Sequence, residues 1–241
     1  MIIIAHRGGN RVFPENSIAA IHHSFQSGAE FVEIDVRLSK DRIPVVIHDR
    51  NLMRLFAIDR NVPELTAREL TALQYGHPPS PLETVERVFD RCHSVPLLLH
   101  VKENEAVFPI LDVIERSRRP LNVVWGLVSL DAVRLVRKRV PAAPILAFTP
   151  SPESVSGFVS AGVGIIRLWD AWIMQGRIDE IHRHGLLAAA MTGEAGGEVG
   201  ETSAERLLEL EALGMDWVLV NDVDLAVRTL KHPGVSSEGT R

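Results

Sequence analysis

Four short clusters near the start of the chain carry side chains able to move protons or balance charge. They are His6-Arg7-Gly8-Gly9, Pro14-Glu15-Asn16, Glu33-Ile34-Asp35 and His48-Asp49, with His100 and Lys102 farther on. Imidazole, with an ordinary pKa of about 6.5, can give or take a proton at neutral pH. His6 and His48 are therefore candidates for a general acid/base pair. For His48 alone, a hydrogen-bonded turn beside Asp49 is the plainer reading; paired with His6, catalysis is favoured. Glu33 and Asp35 stand two apart in an alternating stretch, so on a strand both point to one face. Carboxylates that close repel unless a cation offsets them, and oxygen donors suit a hard divalent ion, Mg²⁺ or Ca²⁺. Salt bridging to Arg7 or Lys102 is the competing account. Those two are also the cations best placed for a phosphate, Arg7 by its bidentate fork and Lys102 as a point charge.

Each cluster closes an apolar run, and that fixes which elements must position it. Ile2–Ala5, Val32–Arg37, Leu97–Val101, Val123–Val128, Ile145–Phe148, Ile165–Leu168, Leu187–Ala190 and Trp217–Val220 read as strands. Amphipathic helices are expected at Ser17–Ser27, Leu82–Arg91, Ala106–Ser117, Asp131–Arg139, Pro152–Ala161, Gln175–His184, Ala204–Leu213 and Leu225–Leu230. Eight alternating units predict an α/β fold closing as a TIM (β/α)8 barrel, whose catalytic groups sit at the C-terminal ends of the strands. Val45–His48 reads as a hairpin partner of the second strand, followed by a small insertion or lid over about 50–81 with a helical pattern at Thr66–Leu73. Gly28, Gly185 and Gly214 stand where helices hand over to strands, and Asn16 and Ser17 can cap the first helix. Residues 193–203 form a Gly/Glu-rich loop, and the tail from about 233 to 241 is polar. Arg116, Arg118 and Arg119 read as a solvated basic run.

A length of 241 residues suits one barrel domain over 1–241. The net charge of −5 argues against nucleic acid, which needs many Lys/Arg contacts, but leaves room for a small phosphate ligand. Cys92 is the single cysteine, so no intrachain disulfide can form and a reducing compartment fits. The N-terminus shows no basic leader, and no apolar stretch approaches the roughly 20 residues of a membrane-spanning helix. The expectation is a cytoplasmic protein.

The ordered set His-Arg-Gly, Pro-Glu-Asn-Ser, Glu-x-Asp and Val-Val-Ile-His-Asp resembles the glycerophosphodiester phosphodiesterase family over residues 1–55, with weaker matches to the C-terminus. The resemblance implies hydrolysis of a small phosphodiester to an alcohol and glycerol phosphate. It implies His6 and His48 as the acid/base pair and Glu33 and Asp35 as metal ligands. Glu15 falls at a family position near the site, where it would orient Arg7 or contact substrate, and Asn221 keeps a polar group over the site.

Two departures from the family pattern bear on substrate and metal. Where the family has Glu-x-Lys, this chain has His100-Val101-Lys102. Imidazole supplies no negative charge and leans toward Mn²⁺ or Zn²⁺; alternatively His100 faces the site without a metal bond. The family's Trp-Thr reads here as Met191-Thr192, so the aromatic wall is lost or supplied from elsewhere, with Trp169 as a candidate whose simpler role is packing. These departures keep a second reading in view, a phosphodiester-binding protein that has lost turnover.

Overall fold

In the computed structural model, which describes residues 1–117, 121–193 and 198–231, β-branched and leucine-rich runs form strands that close on themselves. They are β1 (Ile2–Ala5), β2 (Phe31–Leu38), the hairpin strand β3 (Pro44–Val46), β4 (Leu97–Val101), β5 (Val123–Leu127), β6 (Ile145–Phe148), β7 (Ile165–Trp169), β8 (Leu187–Met191) and β9 (Trp217–Val220). All except β3 run parallel in chain order, and β1 pairs with both β9 and β2, which closes an eight-stranded barrel.

Alternation along the strands sorts side chains into two apolar layers. Ile4, Leu98, Val124, Leu146, Phe148, Ala189 and Leu219 fill the barrel interior. Ile3, Val32, Ile34, Leu97 and Leu99 face outward against helical residues such as Ile110, Leu111, Val133 and Val136. Inward positions nearer the C-terminal ends are polar: His6 follows β1, and Glu33, Asp35, His100 and Arg167 lie on the strands.

Helix limits follow their caps. Ser17 accepts a hydrogen bond from the Ala20 amide and opens the helix Ile18–Gln26. Asn16 does not share that task, because its amide is drawn to Asp35. The helix expected at Leu82–Arg91 runs Val85–Arg91 instead, since Glu83 and Thr84 first pair with β3 and Thr84 then caps it. The segment read as Pro152–Ala161 divides into a tight turn and the helix Val155–Ser160.

β3 pairs antiparallel with β2, Val36 opposite Val46. The excursion beyond it carries the short helices Met53–Phe56 and Ala67–Thr71 over its own apolar cluster of Val45, Ile47, Leu52, Val62, Leu70 and Leu82. Arg116 pairs with Glu86, whereas Arg118, Arg119, residues 194–197 of the Gly/Glu loop and the tail 233–241 lie outside the described residues.

Candidate active site

The acidic pair sits in the middle of β2, both side chains fully buried. Register sets Asp35 beside His100 on β4. His100 Nδ1 lies 3.3 Å from Glu33 Oε1, 3.2 Å from Asp35 Oδ1 and 2.9 Å from Lys102 Nζ. Lys102 Nζ in turn lies 2.7 Å from Asp35 Oδ1. Burial works against the Asp35 carboxylate, but Lys102 and His100 outweigh it and hold its pKa well below the usual range. Glu33 goes the other way: burial and the neighbouring Asp35 charge push it up to about 7. Burial takes His100 down to about 4, which leaves a neutral ring with a lone pair to offer.

These groups fit a divalent ion. One atom from each of Glu33, Asp35 and His100 lies within 4.8 Å of the others, and Glu33 Oε1 is buried without a hydrogen-bond donor. Two carboxylates and an imidazole form a mixed donor set that accepts Mg²⁺ or Ca²⁺ but also suits Mn²⁺ or Zn²⁺. Salt bridging and metal binding are thus not exclusive here, because Lys102 pairs with Asp35 alone and leaves Glu33 unpaired by it.

Arg7 lies in a left-handed turn directly after β1, with φ 51°. Its backbone N–H donates to Glu33 Oε2 at 2.6 Å, and its Nε lies 3.8 Å from Asp35. Its Nη1 reaches Glu15 at 3.3 Å. Glu15 is held on its other side by both terminal nitrogens of Arg54, at 2.7 and 2.9 Å, from the short helix of the excursion.

Both histidines are fixed through Nδ1. His6 Nδ1 lies 2.8 Å from Asn221 Oδ1, and His48 Nδ1 lies 2.7 Å from Asp49 Oδ1. An oxygen acceptor at Nδ1 places the proton there and leaves Nε2 as the basic nitrogen. Burial holds both rings below their ordinary pKa; the charges of Asp35 and Arg7 act on each of them. Backbone bonds set the His48 segment: Ile47 N–H donates to the Asp35 carbonyl and Arg37 Nε to the His48 carbonyl.

Of the nine residues singled out in the sequence, Glu33 and Asp35 lie on β2 and His100 on β4, while His6, Arg7 and Glu15 follow β1, His48 follows β3, Lys102 follows β4 and Asn221 follows β9. His6 and Asn221 contact each other, and the charges of Glu33, Asp35 and Arg7 act on His6. Three others, Arg54, Gly200 and Arg167, escaped sequence reasoning. Asp49 Oδ2 is bound by Arg54 Nε at 2.5 Å, so Arg54 ties the orienting carboxylate of His48 to the partner of Arg7. Gly200 lies against the His6–Asn221 pair at φ +91°; a Cβ there would come within 2.3 Å of Asn221 Oδ1 and 2.6 Å of His6 Nδ1. Its only sequence signal is its place in a glycine-rich loop. Arg167 enters the barrel from β7, and Trp169 lies over its guanidinium at 4.0 Å. That Trp169 face is therefore covered by a cation rather than standing as an open wall. Met191 packs in the interior layer.

Residues 6–225 match the family model described as the glycerophosphoryl diester phosphodiesterase family. YhdW of Bacillus subtilis, a candidate glycerophosphodiester phosphodiesterase, is 26% identical over 98% of this chain and 100% of its own length. Human lysophospholipase D GDPD1 is 28% identical over 59% of this chain, a match that spans 50% of the human protein. An Oleispira antarctica phosphodiesterase, solved in complex with the product sn-glycerol-3-phosphate, superposes with a TM-score of 0.85 at 21% identity, covering 96% of this chain and 97% of that one. The glycerophosphodiester phosphodiesterase of Thermotoga maritima gives 0.76 at 22% identity, covering 95% and 97%.

Proposed function

Because this chain belongs to the glycerophosphoryl diester phosphodiesterase family of phosphoric diester hydrolases, we propose that it hydrolyses a glycerophosphodiester-like substrate to an alcohol and glycerol phosphate. The reading takes residues 1–241 as one catalytic domain in a reducing, cytoplasmic setting, in keeping with the buried free thiol of Cys92. The observation that carries it is the gathering of two imidazoles, each tied through Nδ1, around a buried acidic pair flanked by Arg7 and Lys102.

Glu33, Asp35 and His100 would hold a divalent cation, which would offset charge on the phosphoryl oxygens. Arg7 and Lys102 add positive charge beside the same oxygens, where a protein interior strengthens it. The attacking hydroxyl, from water or from the substrate's own glycerol, loses its proton to Nε2 of one histidine. The other histidine, in its imidazolium form, gives its Nε2 proton to the departing alkoxide, so the alcohol leaves neutral and the two imidazoles exchange protonation states. Attack by water gives glycerol phosphate directly; attack by the glycerol hydroxyl gives a cyclic phosphate, which water opens to glycerol phosphate as the two histidines run the exchange in reverse. Asn221 and Asp49 keep the two rings in the tautomer and orientation this exchange requires.

The test is release of glycerol phosphate from glycerophosphoethanolamine with added Mg²⁺, Mn²⁺ or Ca²⁺. His6→Ala and His48→Ala should each cost about 10²–10⁴-fold in rate. Full activity in either variant removes that histidine from the mechanism. Tight binding of the diester by the native protein with no turnover in any of the three ions identifies a binding protein instead.

A further inference from the structure

On the barrel wall opposite the acidic pair, β7 sends in a cation that the chemistry above does not use. Arg167 shares the inward side of its strand with Ile165 and Trp169 and is only 4% exposed. Its Nη2 makes one long bond to the Thr149 carbonyl, at 3.4 Å, while Nε and Nη1 are buried without any acceptor. Among the described residues no carboxylate pairs with it, and burial alone pulls its pKa down to about 9. The other cations at the mouth are all committed: Arg7 and Arg54 to Glu15, Lys102 to Asp35. A guanidinium taken out of water without a counter-ion is costly, and such groups are retained where an anion meets them.

The surroundings say which way that anion comes. The guanidinium carbon stands 4.0 Å over Trp169, 5.4 Å from the Phe148 ring and 5.9 Å from the Trp172 ring. Phe148 continues the row by stacking on His100, with ring centroids 3.7 Å apart. Gly126 makes room for this, since a Cβ there would sit 2.5 Å from the Phe148 ring. Arg167 therefore faces the candidate metal ligands across a single aromatic ring. β7 lies four strands round the barrel from β2, so a substituent reaching across the mouth from a phosphate over Glu33 and Asp35 would meet Arg167. Aromatic faces at a mouth commonly hold quaternary or primary ammonium groups, but here a guanidinium already covers them.

We propose that Arg167 is a specificity-determining residue that receives an oxyanion, a carboxylate or a phosphate, carried on the alcohol portion of the phosphodiester. The protein thereby selects acidic alcohols over cationic ones. The half-buried Trp169 turns aside as the anion enters, an ordinary rotamer adjustment on binding. The assignment rests on the phosphodiesterase reading.

Glycerophosphoserine and glycerophosphoethanolamine differ by one carboxylate and so isolate the contact. The native protein should favour the serine ester by at least about tenfold in kcat/KM. Arg167→Met should erase that preference, mainly by raising KM for the serine ester, while leaving kcat/KM for the ethanolamine ester within about threefold; Arg167→Lys should keep part of the preference. Absence of a preference in the native protein overturns the proposal. So does an equal loss on both esters in Arg167→Met, which would place the residue on the scissile phosphate or in the framework. Arg167→Lys supplies the comparison if Arg167→Met does not fold. If the native protein hydrolyses neither ester, the phosphodiesterase reading fails. Calorimetric binding of the same two esters then decides Arg167 separately: tighter binding of the serine ester, lost in Arg167→Met, supports it, and equal binding overturns it.

Discussion

Asn221 Oδ1 accepts from His6 Nδ1 at 2.8 Å, tying the residue after the last barrel strand to the residue after the first. The same Asn221 donates through Nδ2 to the Val199 carbonyl and to Glu201, so it also anchors the loop beyond β8. Asn221→Leu should leave His6 without its Nδ1 acceptor and free to take the wrong tautomer. We expect kcat to fall by about 10–100-fold, a share of the 10²–10⁴-fold an acid/base group supplies. Steady-state kinetics with a melting curve as control will measure it; unchanged kcat in a folded variant would show that His6 needs no such support.

The pH profile has a defined direction. A general base must be neutral, and both candidate imidazoles are held below their ordinary 6.5, chiefly by burial. Their charged forms therefore appear only at lower pH, and the acid limb of kcat/KM should have its midpoint below 6.5. A midpoint at 7 or above in the metal-loaded protein contradicts this.

Folding stability of the metal-free protein is governed by opposing groups. His100, down at about 4 in the fold, is more easily charged in the unfolded chain, so its contribution is present above 6.5 and lost as pH falls toward 4. Glu33, up at about 7 from its ordinary 4.5, contributes fully below 4.5 and loses that contribution as pH rises toward 7. The two offset each other between 7 and 4.5. Below that, Asp35, whose carboxylate is held well under its ordinary 3.8, adds a further loss as it protonates. Melts in chelator should thus change little from pH 7 to 4.5 and drop steeply below; a steep drop already between 7 and 6 would reverse the assignment.

Chelation should abolish turnover, and Mn²⁺ or Mg²⁺ should restore it. His100→Glu replaces the neutral ring with a third carboxylate at the cost of the Phe148 stack. The expected result is a shift of metal preference from Mn²⁺ or Zn²⁺ toward Mg²⁺ or Ca²⁺, read from activation curves for the four ions. An unaltered order of preference would mean that position 100 is not a ligand.

Arg54 is 47% exposed, so its ion pairs with Glu15 and Asp49 contribute little to stability, at most about 1 kcal/mol. Its effect should instead be on rate, since one guanidinium steadies both the partner of Arg7 and the partner of His48. Arg54→Ala should lower kcat/KM by about tenfold or more with melting almost unmoved. Arg54→Lys should recover little, because a point charge cannot grip two carboxylates at once. A drop in stability matching the drop in rate would indicate a framework role.

The barrel was legible because its strands are short apolar runs ending in ionisable residues, and Leu97–Val101, Ile145–Phe148 and Trp217–Val220 fall where the sequence places them. Helix starts were less so. Leu82 looks like the first apolar residue of a helix, yet it lies in the excursion's own core and the next two residues pair with β3. At the site, residues inside contiguous motifs were visible. Arg54 was not, because its partners at 15 and 49 meet it only in three dimensions. Arg167 did leave a trace: it is the one charged residue in Ile-Ile-Arg-Leu-Trp, two places from apolar neighbours on the same side. A charge at an inward strand position contradicts the pattern around it, and such contradictions gather where function outweighs stability.

The excursion between 44 and 84 packs around a hydrophobic centre separate from that of the barrel. Beyond β3, which pairs with β2, such a stretch should tolerate changes of length or sequence more readily than the eight-stranded frame. Since it carries His48 and Arg54 as well as the ground beside the mouth, a swap would retune reactivity and choice of substrate together, from one compact piece of chain.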